Sequence, residues 1–314
     1  MAVYTPLSKE EIEEHLKTFN IGELESFSGI SEGIDNTNYK ITTSTGAFIL
    51  TIFEKRIREE DLPFYISFTK HLYDHGLPCP DIIKNKNNEQ ISRLKNKPSA
   101  IASFLEGKSP SHIEMFHIEE MGKVLGKMHL AVKDFKLTHT NAMSVSACRK
   151  LIDSCGQDVE QLETGLFSLM QKEFDFQEKN MIKDLPSGVI HGDLFPNNVF
   201  FNEENKLSGI FDFYFSCTDC FVFDLMTALT AWSSNKKGEL DRKKMSAFLD
   251  AYKTERPLSP EEEKSLTFFG RVSALRFLSS RTYDWFNTPS DAFVERNDPI
   301  EYINILKFYQ TEGF

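Results

Sequence analysis

No run of this 314-residue chain is apolar for long enough to cross a bilayer as a helix, which takes about 20 consecutive apolar residues. The opening residues, Met1-Ala2-Val3-Tyr4-Thr5-Pro6, show no charged-then-apolar leader, so a cytoplasmic location is the default expectation. Basic residues are in deficit: 36 Lys and Arg against 47 Asp and Glu leave a net charge of −11. Such a chain has no cationic face with which to displace counterions from a phosphate backbone, which argues against nucleic acid as a partner. A local basic pocket for a nucleotide remains compatible with that balance. Cysteine is sparse and odd in number (Cys79, Cys148, Cys155, Cys217, Cys220), the pattern of free thiols in a reducing compartment. Cys217-Thr218-Asp219-Cys220 has neither a second pair nor a His at ligand spacing, so its thiols read as packing groups. No internal repeat or low-complexity tract occurs. The two tryptophans, Trp232 and Trp285, read as core, as do most of the 28 phenylalanines.

What is present describes an ordinary globular protein, 40% hydrophobic and 26% charged, long enough for two lobes. Ser8 and Glu11 form a capping-box pattern ahead of apolar Ile12, Leu16 and Phe19. Strand-like runs follow at 24–30, 38–43 and 47–53, separated by turns at 33–36 and 44–46. A helix is predicted over 61–75, with Pro63 in its first turn and Gly76 as its stop. Further strands are expected at 82–84, 90–94 and 100–105. Glu106-Gly107-Lys108-Ser109-Pro110 is the most loop-like break, so the lobes are placed at 1–106 and 107–314. Beyond it, helices are predicted over 118–132, 159–180, 224–232, 242–252, from the Ser259-Pro260-Glu261-Glu262 cap through 286, and over 299–309. The fold class is therefore α+β: a small antiparallel-sheet N-lobe with one main helix, and a larger, mostly helical C-lobe.

The chemistry is concentrated in Val189-Ile190-His191-Gly192-Asp193-Leu194-Phe195-Pro196-Asn197-Asn198, followed by a polar turn and Gly209-Ile210-Phe211-Asp212-Phe213. Each polar residue alone is an ordinary turn former. Together, His-x-Asp-x-x-x-x-Asn and a later Asp on an apolar strand are what phosphoryl transfer requires. Asp193 accepts the proton of an attacking hydroxyl. Asn198 and Asp212 offer hard oxygens that hold Mg²⁺ against the phosphates of ATP.

These motifs resemble the aminoglycoside-phosphotransferase and choline-kinase superfamily, which shares the two-lobed protein-kinase-like fold, over nearly the whole chain. The resemblance implies that Gly33 to Tyr39, with Gly33 and Asn36, is a phosphate loop. It implies that Ala100 to Gly107, with Ser103 and Leu105, is the strand and hinge beside adenine, in a cleft between the lobes. Leu125-Gly126-Lys127-Met128-His129 is similar to the helix before the catalytic loop, although His129 by itself reads as a core histidine. Asp219 and Asp224-Leu225 are similar to the region whose later Asp braces that loop. Longer phrases, among them Phe48 to Arg56, Gly76-Leu77-Pro78-Cys79-Pro80 and Tyr283 to Pro289, resemble the kinase-like homoserine kinases of bacteria. That implies phosphorylation of the side-chain hydroxyl of L-homoserine, toward threonine, by a monomer or homodimer. One departure stands out. The third-strand Lys or Arg that reaches the α- and β-phosphates is replaced by Thr51, so either Lys55 or Arg56 reaches them or the small-lobe backbone and metal carry more of that load, and the paired helix acid stays unassigned among Glu59, Glu60 and Asp61.

Homoserine is a zwitterion, so its site needs a cation for the carboxylate and an acceptor for the ammonium. Arg276 or Arg281 is the expected carboxylate clamp, with Tyr214 a further contact and Asp35 a candidate for the ammonium. Choline, ethanolamine, methylthioribose and aminoglycosides are the competing acceptors. An inert nucleotide-binding module is the competing class.

Overall fold

The computed structural model describes residues 4–30, 36–54, 57–288 and 297–314. The chain divides into two compact units, Met1–Lys108 with Phe200–Tyr214, and Ser109–Val199 with Phe215–Phe314. The hairpin at 200–214, inside the stretch expected to form the helical lobe, thus clusters with the first unit.

The first unit opens with helix α1 (Lys9–Leu16), whose predicted capping box is formed: the Ser8 hydroxyl accepts from Glu11 N, and the Glu11 carboxylate accepts from Ser8 N. Then come β1 (Leu24–Ile30), β2 (Asn36–Thr43), β3 (Gly46–Phe53), helix α2 (Leu62–Asp74), β4 (Ile82–Ile83), β5 (Ser92–Leu94) and β6 (Lys97–Ser103). They form one antiparallel sheet in the order β1-β2-β3-β6-β4, with β5 on β6. Period-two alternation decides which residues face which layer. Tyr39, Ile41, Leu50 and Ile101 pack with Ile12, Leu16 and Phe19 near α1. Phe53 and Ala100 pack on the opposite side with Leu62 and Ile66 of α2.

The second unit contains α3 (Met115–Ala131), α4 (Val145–Cys155), α5 (Leu166–Asn180) and β7 (Ser187–Ile190). The short hairpin β8 (Val199–Phe201) and β9 (Leu207–Ile210) follows, and the chain re-enters the second unit for β10 (Cys217–Cys220), α6 (Phe221–Ser233), α7 (Arg242–Glu255), α8 (Pro260–Asn287) and α9 (Ile300–Thr311). Every residue of α6 is buried, which makes it the central helix of this unit. Helix α3 approaches α7 so closely that a Cβ at Gly126 would lie 2.9 Å from Glu255 Cβ and 3.0 Å from Tyr252 O.

Three expectations change. Helix α4 lies where the sequence pattern predicts nothing, because two of its three buried positions are Cys148 and Cys155 instead of aliphatic residues. The helix expected from 159 begins at Leu166, since Gly165 at φ 84° interrupts the turn. The apolar strand expected to carry Asp212 stops at Ile210, and Phe213–Phe215 is a 3₁₀ turn. The break lies at Asp212, which adopts a left-handed φ of 65°.

Candidate active site

In the second unit the catalytic-type loop leaves β7, which pairs antiparallel with β10. Gly192 turns the chain at φ +76°, and a Cβ there would lie 2.8 Å from Phe215 O, so the turn excludes any larger residue. Asp193, the one carboxylate of the loop, follows with its side chain 19% exposed. Its Oδ1 accepts from Arg276 Nη1 of α8 at 3.3 Å. Asn198 Nδ2 donates to the Asp193 carbonyl at 2.8 Å and to Asp193 Oδ2 at 3.3 Å. That orientation commits the amide nitrogen to Asp193 and leaves Oδ1 as the acceptor for a cation. Trp232 Nε1 donates to Leu194 O at 2.9 Å, so this tryptophan of α6 is buried and also pins the loop.

Beneath the loop runs a buried polar chain. Asp224 Oδ1 accepts from Gly192 N (2.8 Å), and Oδ2 accepts from His191 N (3.0 Å). Oδ2 also lies 3.1 Å from His129 Nε2, and His129 Nδ1 lies 2.7 Å from Tyr252 Oη. Tyr252 Oη in turn accepts from Arg256 Nη1 (3.0 Å), and Arg256 Nη2 donates to Glu262 Oε1 (2.8 Å). Glu262 belongs to the capping box that starts α8, the helix carrying Arg276. Burial holds the His129 imidazole below its usual pKa, hence neutral, and that fixes its tautomer: Nε2–H donates to Asp224 while Nδ1 accepts the Tyr252 proton. Burial alone would raise the pKa of Asp224. The hydrogen bond from His129, with the Gly192 N–H, outweighs it and holds the carboxyl below the usual carboxylate range. An ionised carboxylate is thus available to three donors. His129 is buried, as a core reading expects, and it also holds the carboxylate that braces the loop.

The other expected site residues that are described have neighbours of their own. Arg281 is engaged by Glu301 at 2.5 Å and lies over the Tyr302 ring. Tyr214 packs edge-on against Phe53 and Tyr65 in the first unit. Asn36 begins β2 and accepts from Glu54 N through Oδ1. Ser103 accepts from Asp81 N and donates its own N–H to Asp81 O, so both groups bind the preceding edge of β4. Leu105 lies against Gly209. Asp212, half-buried, follows β9 in the first unit. Gly33, Asp35, Lys55 and Arg56 lie outside the described residues. Of the three helix acids, Glu59 pairs with Arg93, while Glu60 and Asp61 pair with Arg58. Burial pushes the thiols of Cys217 and Cys220 far up, in keeping with packing groups and not thiolate chemistry.

Fold and loop together define a kinase-like phosphotransferase. The chain belongs to the phosphotransferase enzyme family, whose model matches residues 26–258. Among curated relatives, the homoserine kinase of Parvibaculum lavamentivorans is 43% identical over 99% of this chain and 96% of its own length. The homoserine kinase of Nitrobacter hamburgensis is 41% identical over 100% and 96%. Solved structures of similar fold include an amicoumacin kinase in complex with AMP-PNP and Ca²⁺ (TM-score 0.71, 13% identity, 97% of this chain and 93% of that one). A spectinomycin phosphotransferase superposes with TM-score 0.70 at 14% identity, over 98% of this chain and 99% of that one. No helix among the described residues is long and apolar enough to cross a membrane.

Proposed function

We propose that the chain transfers the terminal phosphoryl group of ATP to the side-chain hydroxyl of L-homoserine, giving O-phospho-L-homoserine. The observation that carries this reading is the pairing of Asp193 with Arg276, which sets a proton acceptor beside a guanidinium. The full-length similarity to homoserine kinases supports it. Asp193 orients the hydroxyl and takes its proton. Arg276, with donors beyond the one facing Asp193, holds the substrate carboxylate. An acceptor carrying a quaternary amine would want an aromatic cage instead. Arg281 and Tyr214 are tied to their own neighbours, so Arg276 is the preferred clamp.

Asn198 and Asp212 are the proposed Mg²⁺ ligands; an amide oxygen whose nitrogen is already occupied and a carboxylate are the hard donors this ion prefers. When bound, the ion neutralises phosphate charge. Leu105 is proposed as an apolar wall for the base. The site acts on a small molecule, in a cytoplasmic protein that is a monomer or homodimer.

A coupled ADP-release assay across homoserine, choline, methylthioribose and kanamycin tests the assignment. Turnover is expected with homoserine; turnover with another of these and none with homoserine overturns it. Asp212→Asn, chosen because Asn tolerates the left-handed backbone at this position, is expected to weaken MgATP binding roughly tenfold or more, about 1.4 kcal/mol. Calorimetric titration with MgATP and with metal-free ATP checks this, since the metal-free affinity should stay unchanged.

A further inference from the structure

The sheet of the first unit has one face whose polar groups the fold does not explain. Thr51 and Asn38 are cross-strand partners on β3 and β2, and Thr51 Oγ1 donates to Asn38 Oδ1 at 2.8 Å. The next same-face pair is Lys40 opposite Ile49, with Ala102 of β6 beside Ile49. All of these except Ile49 and Ala102 are polar, and all are half-buried. The opposite face is the closed apolar layer around Tyr39, Ile41 and Leu50.

Lys40 is the anomaly. The other half-buried Lys residues described in this unit have carboxylate partners: Lys70 has Asp74 and Asp81, and Lys97 has Glu54. Among the described residues no carboxylate lies within ion-pair distance of Lys40. Its ammonium rests 3.9 Å above the Phe104 ring, just past the end of β6. A partly desolvated ammonium without a counter-anion is unfavourable, and an aromatic face compensates it only in part. The interior of α2 offers no acid, since its sequence Leu62–Asp74 has its one carboxylate at the last residue. Among the described residues, then, no fixed anion on this face complements Lys40. The anion comes with the ligand.

The face is also graded. Ile49, Ala102 and Phe104 form an apolar end suited to a purine, and Asn38 and Thr51 form a polar end. Lys40 lies between them, two residues (about 7 Å of strand) from Asn38, on a flexible four-carbon stem that swings toward either. We infer that Lys40 supplies the cation for the nucleotide phosphates, the charge that Thr51 lacks. The inference rests on the proposed reading of the chain as an ATP-dependent kinase.

Calorimetric titration of the full chain with MgATP, ATP without metal, and adenosine tests it in Lys40→Met. The expected result is a 10- to 100-fold rise in Kd for both ATP forms, roughly the strength of a hydrogen bond to a charged group, with the affinity for adenosine unchanged. Thr51→Lys added to Lys40→Met should recover most of the loss, because it returns a cation to the same face. Circular dichroism verifies that both variants fold, and Lys40→Arg, which keeps the charge, should bind nearly as wild type should the Met variant not fold. Unchanged ATP affinity in Lys40→Met overturns the inference. So does an equal loss for ATP and adenosine, or no recovery with Thr51→Lys. Wild-type protein that fails to bind MgATP at all removes the kinase reading itself, an outcome distinct from these.

Discussion

Asp193→Asn is expected to lower kcat by roughly 10²- to 10⁴-fold, the usual range for a positioned general base, and to leave the Kd for MgATP nearly unchanged. The substitution keeps the size of the side chain and an oxygen for Arg276, now 3.3 Å away. The loop around it is fixed independently: Trp232 holds the Leu194 carbonyl and Asp224 holds the amides of His191 and Gly192. What disappears is the basic oxygen for the hydroxyl proton. Steady-state kinetics paired with calorimetry separate the two quantities. A variant with wild-type turnover removes Asp193 from the role of base, and one that loses nucleotide affinity in proportion assigns the residue to binding instead.

Asp224→Asn is expected to produce the second large effect, on stability and turnover together. All three partners of this fully buried carboxylate are donors: two backbone N–H groups and the His129 Nε2–H. An amide presents one oxygen and one NH₂, so at least one donor meets a donor. Leaving a buried donor unsatisfied in this way costs about 1–3 kcal/mol, read as a lower midpoint in urea unfolding, and kcat should drop because Gly192 and Asp193 lose their anchor. A variant with wild-type stability and turnover would show the contacts to be incidental. The same chain sets a pH dependence. The native pKa of His129 is depressed, as burial also depresses those of His15 and His117. When pH falls below about 6.5 the unfolded chain therefore takes up protons that the native state refuses, and stability declines. Asp224, also depressed, adds its loss only below about 3.9. Urea midpoints that stay level between pH 7 and pH 5 would contradict a neutral native His129.

Much of the fold was legible because its signals are local. The capping boxes at Ser8 and Ser259, the alternation along β2 and β3, and the Pro63 start of α2 act within a turn or a strand. Helix α4 was not legible, since buried cysteines do not register as an apolar stripe. Nor was the end of β9, where Asp212 leaves the strand through a backbone region that few non-glycine residues adopt. In the candidate site, Asp193 and Asn198 could be found by spacing because one loop carries both. The choice between Arg276 and Arg281 could not, as they lie five residues apart on the same helix and only their surroundings differ.

The order of chemical groups along the chain is thus a property of the sequence: an acid and an amide five positions apart, an acid after the hairpin, a threonine where a cation is expected, and the apolar periods that build the sheet and helices. Those follow from covalent spacing and backbone geometry. Which charges have partners is decided by packing of distant segments. Glu262 is linked through Arg256, Tyr252 and His129 to Asp224, and Lys40 is left over an aromatic ring with no carboxylate among the described residues at ion-pair distance. Electrostatic complementarity depends on distances of a few ångströms between elements remote in the chain, and only the folded protein sets those.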